Sequence, residues 1–160
     1  MLIRELAPSE VALVAAFYEE AQDYWRLADR RPPDAQKAAE FFTDGPPGCD
    51  PAQSHRLGLF VDGRLSGVAE LSFGFPAPED GYLGLMLLAP RLRGSGHGAA
   101  LLAEVERLAR QRSAPRLLLA VLEENPRGRA FWEREDFRPT GISRRDDETG
   151  HVIHRLEKGL

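Results

Sequence analysis

The segment Arg93-Gly94-Ser95-Gly96-His97-Gly98 constrains this chain more than any other. Before it lies an unbroken apolar run, Gly81 to Leu88, which has no wet face and so predicts a central strand. After it, Leu101, Val105, Leu108 and Ala109 recur at helical spacing, and Glu106 stands four residues before Arg110. A strand, a glycine-rich turn and an amphipathic helix in succession leave backbone N–H groups free at the helix N-terminus. Glycines there let an anion approach without a Cβ in the way. The segment therefore predicts a phosphate-type site; a structural turn is the bland alternative.

The flanking sequence predicts a mixed sheet around that unit. Leu2 and Leu6 alternate against Arg4 as a first strand, Pro8 and Ser9 open a helix with Ser9 as its cap, and apolar spacing continues from Val11 towards Leu27. Proline clusters bracket a short helical segment from about Asp34 to Phe42. Two apolar runs between Ser54 and Phe75 flank Asp62-Gly63, the dipeptide of a tight type I′ hairpin, and Gly67 inside the second run marks a bulge or a close backbone approach. Pro115 ends the long helix, Arg116 to Val121 read as a buried strand, and Asn125-Pro126 cap a helix reaching about Glu135. Phe137 begins two closing strands, with Gly141 to Gly150 as a polar hairpin loop. The order is β, α, α, β, β, β, α, β, α, β, β, an α/β architecture with helices on both faces of the sheet.

Composition removes other classes. A chain of 160 residues is expected to form a single domain over 1–160. At 42% hydrophobic and 29% charged, with no apolar run near the ~20 residues of a span, a membrane segment is not expected. The net charge of −4 argues against nucleic acid as a partner. The opening residues lack a secretion-signal pattern, so a cytoplasmic protein is expected. One cysteine, Cys49, permits no internal disulfide, and His151 and His154, three apart on a strand, point to opposite faces. No metal is expected.

The phosphate ligand can be narrowed. Ala99-Ala100 follow Gly98 where a Walker loop needs Lys and Ser or Thr, so neither a phosphate-reaching ammonium nor a magnesium ligand is present. The glycines also follow several antiparallel strands instead of opening an early βαβ unit, which fits a dinucleotide fold poorly. Instead the loop resembles the acyl-CoA pyrophosphate loop of the GNAT superfamily of N-acetyltransferases, Gln/Arg-x-x-Gly-x-Gly/Ala, with Arg93, Gly96 and Gly98 in the defining places. Downstream, NPRGRAFWEREDF (125–137) is similar to the family's Asn-then-Ala-x-x-Tyr-x-x-x-Gly-Phe segment, and one helix and one strand separate the two motifs, as in the family.

The resemblance implies a mixed, mostly antiparallel sheet of about seven strands, with a V-shaped splay between the strands near 81–88 and 116–121. It implies acetyl-CoA as co-substrate, held by the backbone of Met86, Leu87 and Leu88, by Arg93 and the Gly94-Ser95-Gly96-His97-Gly98-Ala99 amides, and by Asn125. A backbone N–H near Leu88 would polarise the thioester carbonyl. Acetyl transfer to a small-molecule or peptide amine would proceed by direct attack, since Cys49 lies far in sequence from both motifs. Trp132 stands where many members carry a proton-donating tyrosine; its indole N–H donates a hydrogen bond but no proton. Asp136 replaces the usual glycine before Phe137. Glu70, on the second hairpin strand, and Tyr82 are the candidate bases, although an acidic residue at position 70 is more often placed on the solvent face. Asp80, Glu123 and Glu124 are weaker candidates. Tyr24, Trp25, Phe41 and Phe42 are candidate acceptor contacts in the least regular part of the chain. A non-catalytic acyl-CoA-binding or regulatory module is the alternative reading, and the exposed edge of the closing strands makes a homodimer one expectation.

Overall fold

The computed structural model describes all 160 residues. Seven strands form one sheet in the order β1-β2-β3-β4-β5-β7-β6, where β1 is Leu2–Glu5, β2 His55–Val61, β3 Arg64–Phe73, β4 Gly81–Leu88, β5 Arg116–Leu122, β6 Arg138–Arg145 and β7 Val152–Gly159. Only the β4/β5 pair is parallel. The apolar run at 81–88 is thus the central strand, as its lack of a wet face predicts.

Two helical layers sandwich the sheet. The long helix α4 (His97–Gln111) and α5 (Pro126–Arg134) cover one face, where Leu101, Leu102 and Val105 pack on Leu57, Leu59, Leu71, Leu117 and Leu119. On the other face lie α1 (Val11–Glu20), α2 (Gln22–Ala28) and α3 (Ala35–Glu40); Phe17, Tyr18, Trp25 and Phe41 pack there with Val68 and Leu87. No residue of β5, β6 or β7 belongs to that second core. No helix is long and apolar enough to cross a membrane.

Local rules account for most of the joints. Asp62 and Gly63 both take positive φ (50° and 76°), the pair a type I′ turn requires. Gly67 faces a register shift in β2, and a Cβ there would stand 2.8 Å from Leu88 Cδ2, so the strand carries both a bulge and a close approach. Asn125 caps α5 by accepting from Gly128 N at 3.0 Å.

Two expectations need correction. Ser9 does not cap: Pro8–Glu10 form a 3-10 turn, and the Glu10 carboxylate accepts from Ala7 N (3.0 Å) because Arg4 holds it there (2.7 Å). The residues from Gly141 to Arg145 are strand, not loop; Gly141 has φ 87° at a register shift that lets β6 continue against β7, leaving a turn of only 146–151.

Asp136 closes α5 in the left-handed region (φ 72°), the conformation that favours glycine. Asp136→Gly should therefore stabilise the protein by about 1 kcal/mol, raising Tm by about 2–4 °C in a thermal melt.

Candidate active site

The sheet opens where β4 meets β5. Their ladder has three pairs only, Gly81↔Leu117, Tyr82↔Leu118 and Leu83↔Leu119. Beyond it each strand stays with its outer neighbour, β4 with β3 and β5 with β7 out to Leu122↔Ile153, so the two inner edges part. The parting begins at a bulge: Glu70 faces Leu85 and Leu71 faces Leu83, which leaves Gly84 without a partner on β3. After the bulge Leu85 and Leu87 turn to the α1–α3 layer, and Met86 and Leu88 to the α4 layer. A cleft of about 600 Å³ results, running through the sheet from α2 on one face to α4 and α5 on the other. Strand groups of β4 that face it have no ladder partner and can accept an extended amide-bearing ligand.

At one end of this cleft stands the glycine loop. Gly94 and Gly96 take positive φ (78° and 86°), and Gly96 is the N-cap of α4 with no side-chain cap. The first helical bond is Ala100 N to Gly96 O (3.2 Å), so the amides of His97, Gly98 and Ala99 have no acceptor within the helix. Gly98 lies so close to Leu88 and Phe131 that a Cβ would stand 3.3 and 3.4 Å from them. Ser95 Oγ donates to Leu92 O and lies 2.5 Å from His97 Nδ1, which fixes the loop from within.

Helix α2 bridges the mouth of the V. Arg93 donates to Asp23 (2.5 and 3.1 Å) and to Leu88 O (3.2 Å), tying α2 to the β4 side. On the β5 side Arg30, just beyond α2, forms a two-pronged pair with Glu124 (2.9 and 3.0 Å), while buried His151 Nε2 lies 2.6 Å from Leu27 O. Asp23, Tyr24 and Leu27 consequently face the cleft. Burial pushes the Tyr24 phenol up to about 12, so it stays protonated across the physiological range.

Glu70 sits behind the bulge. It is 5% exposed, accepts from Ser72 Oγ, and lies 3.9 Å from Arg56 Nη2. Its carboxylate reaches over exposed Gly84; a Cβ on that glycine would collide with Glu70 Oε2. The expected solvent-facing placement is therefore wrong. The α1–α3 side of β3 at this point is covered by the chain after α3, whose Phe41 and Asp44 carbonyls accept from Arg56 Nη1 (2.6 and 2.7 Å). Burial raises the Glu70 pKa, and Ser72, Arg56 and the Gly84 amide pull the other way without cancelling it. A carboxylate of raised pKa at the point of a cleft is suited to removing a proton.

Of the residues singled out from sequence, Met86, Leu87, Leu88, Arg93, Gly94, Gly96, Gly98, Ala99, Asn125, Trp132 and Tyr24 all line this cleft. Ser95 and His97 belong to the loop but not to the cleft wall. Tyr82 points to the α1–α3 face, edge-on to Phe75 at 5.1 Å. Trp25 is buried in the second core and Phe42 packs against it. Trp132 is 9% exposed between Phe131 and Phe137 (4.9 and 5.4 Å), so it is both core and cleft wall. Sequence reasoning missed Asp23, Gly84, Arg127, Phe131 and Arg134. Only Gly84, a glycine inside an apolar strand, carried a local signal. No group of His, Cys, Asp or Glu is arranged to hold a metal.

Solved structures share the architecture across the whole chain. An acetyltransferase from Thermus thermophilus is 21% identical and matches with a TM-score of 0.76, covering 100% of this chain and 98% of that one. A ribosomal-protein-alanine N-acetyltransferase from Brucella melitensis is 20% identical, covering 100% of both chains at a TM-score of 0.78. The PaiA N-acetyltransferase from Thermoplasma acidophilum, solved with coenzyme A, is 18% identical at a TM-score of 0.71, covering 99% of this chain and 98% of that one. At these identities the likeness shows the fold. No curated protein matches in a sequence search. The profile of the Acetyltransferase (GNAT) family matches residues 14–137, most of the chain including the loop, both cleft strands and α5, and the protein therefore belongs to the GNAT acetyltransferase family.

Proposed function

We propose that this acetyltransferase moves the acetyl group of acetyl-CoA to a primary amine by direct attack, with both substrates in the cleft at once. One observation carries the reading: the uncapped, glycine-lined start of α4 opens onto the same cleft that the unpaired edge of β4 lines. The donor set fits the co-substrate. Free amides of His97 to Ala99 suit a pyrophosphate, and Gly96 lets it approach, since nothing stands within 4 Å of where its Cβ would be. The β4 edge from Gly84 to Leu88 suits pantetheine amides, with Asn125 on the opposite wall. Acetyl-CoA supplies the activated acyl group.

Glu70 takes one proton from the substrate ammonium, either directly or through a water at Gly84, and frees the nitrogen lone pair. As the C–N bond forms and the C–S bond breaks, the CoA sulfur leaves with the electron pair. A thiol of pKa near 8.5 leaves without full protonation, so the Trp132 indole needs only to donate a hydrogen bond. The second nitrogen proton passes to solvent or to the thiolate. The alternative of a binding-only module draws on Trp132 in the place of a proton donor and on the want of an evident base; buried Glu70 beside Gly84 supports the transferase reading over it.

Incubating the protein with acetyl-CoA and a panel of primary amines, and following free thiol together with acetylated product, tests the reading. One product per CoA released is expected. Product acetylated on oxygen, or acetyl-enzyme formed without an amine, would contradict direct transfer to nitrogen.

A further inference from the structure

Beside the cleft, where Gly84 and Ala120 line it, the sheet face carries two arginines, Arg144 and Arg155, together with the carboxylates of Glu70 and Glu157. Paired residues in a sheet share a face, and so do residues two apart on one strand. Tyr82 pairs with Leu118, Ala120 lies two further along β5 and pairs with Arg155, and Ile153, two from Arg155, pairs with Arg144. Tyr82, Ala120, Arg155 and Arg144 therefore lie on one face. It is also the face of Glu70, two residues from Ser72, which pairs with Tyr82. No residue of β5, β6 or β7 joins the core that α1–α3 form on this face.

The Phe75 ring joins two of these residues, Tyr82 and Arg155. The Phe75 ring stands 5.1 Å from the Tyr82 ring, and the Arg155 guanidinium sits 5.1 Å from the centre of the same Phe75 ring. Burial raises the Tyr82 pKa, the charges of Arg155 and Arg144 on the same face pull it back, and Glu70 pushes it up. Arg30, Arg91, Arg93 and Arg116 all have carboxylate partners. Arg144 and Arg155 form no salt bridge, while Asp146, beyond the end of β6, accepts from the Thr149 hydroxyl (2.6 Å), which lowers its pKa, as does the Arg144 charge. Tyr82 lies two residues before Gly84, about 6–7 Å along the strand.

We infer that Arg144, Arg155 and the Tyr82 hydroxyl form an anion subsite for the acceptor, so that the preferred substrate is a primary amine bearing a carboxylate or similar anionic group. The anion rests on the two guanidiniums and the phenol, and the amine reaches towards Gly84 and Glu70. A polyamine is disfavoured by the same cations. This inference rests on the transferase reading and names its acceptor class.

The test is CoA release from acetyl-CoA with the standard amino acids, their carboxamides, the matching amines that lack the carboxylate, and spermidine. Carboxylate-bearing amines should be preferred. Arg155→Gln should raise KM for the best of them about tenfold or more with kcat changed far less, and should leave the carboxamide's KM in place. Arg144→Gln, on the exposed edge strand, repeats the test should the first variant fold poorly. Preference for the carboxamide, the plain amine or spermidine overturns the inference and leaves the transferase reading standing. So does failure of every carboxylated amine while acetyl-CoA still binds calorimetrically. Loss of acetyl-CoA binding itself marks a failure of the transferase reading instead.

Discussion

Glu70→Gln lowers kcat/KM by about 10²- to 10⁴-fold, the range that removal of a positioned base commands, while acetyl-CoA binds as before. The separation is expected because Glu70 lies behind Gly84 and away from the α4 amides, so it contacts the reacting amine and not the co-substrate's phosphates. The exchange keeps shape and leaves the Arg56 hydrogen bonds to the Phe41 and Asp44 carbonyls in place, and a thermal melt reports the cost of removing the carboxylate opposite buried Arg56. The pH profile gives an independent check. Glu70 works as the carboxylate, so activity falls as pH drops through its pKa. Burial raises that pKa, which places the acidic limb above the ordinary carboxylate range, and Glu70→Gln should abolish the limb. A variant with full activity, or with the limb unmoved, assigns the proton transfer elsewhere.

Gly96→Glu should weaken acetyl-CoA binding by two to three orders of magnitude. The new carboxylate stands where the N-terminal amides of α4 await an anion, and like charges about 4 Å apart near a protein surface repel by about 4 kcal/mol before salt screening. Gly96 has φ 86°, so the variant also carries about 1–2 kcal/mol of backbone strain, which a thermal melt reports separately. Gly96→Asn separates charge from strain, because asparagine tolerates the left-handed region and adds no charge. It should retain binding within a few-fold. Equal losses in both variants would make backbone conformation, and not an anion, the property that matters at this glycine.

What was legible in the sequence is what neighbours along the chain decide. The Asp62-Gly63 turn, the Asn125 cap, the α4 face and the central apolar strand each follow from residues within one turn or one hairpin of each other. Asp136 stood out as a departure from a motif and proves to be left-handed. What was hidden depends on residues far apart. Glu70 alternates like a solvent-facing strand residue, and only the chain around Phe41 and Asp44 and the bulge at Gly84 bury it and point it to the cleft. Ser9 loses its capping role to an arginine on β1 that holds Glu10 in place. Arg144 reads as part of a polar hairpin loop and Arg155 as an ordinary polar strand residue, until the extension of β6 and the β5-β7-β6 order bring both to the face of Tyr82. The V itself is not a property of either strand. It follows from β4 and β5 each keeping its outer partner.

The central claim is that the cleft between β4 and β5 holds acetyl-CoA, and a calorimetric titration of acetyl-CoA into the purified protein, with ATP as a competitor, tests it most directly. Saturable micromolar binding, lost in Gly96→Glu and not displaced by excess ATP, is the predicted result. A folded protein that takes up no acetyl-CoA, or that releases it readily to ATP, would contradict the account and reduce the glycine loop to a turn.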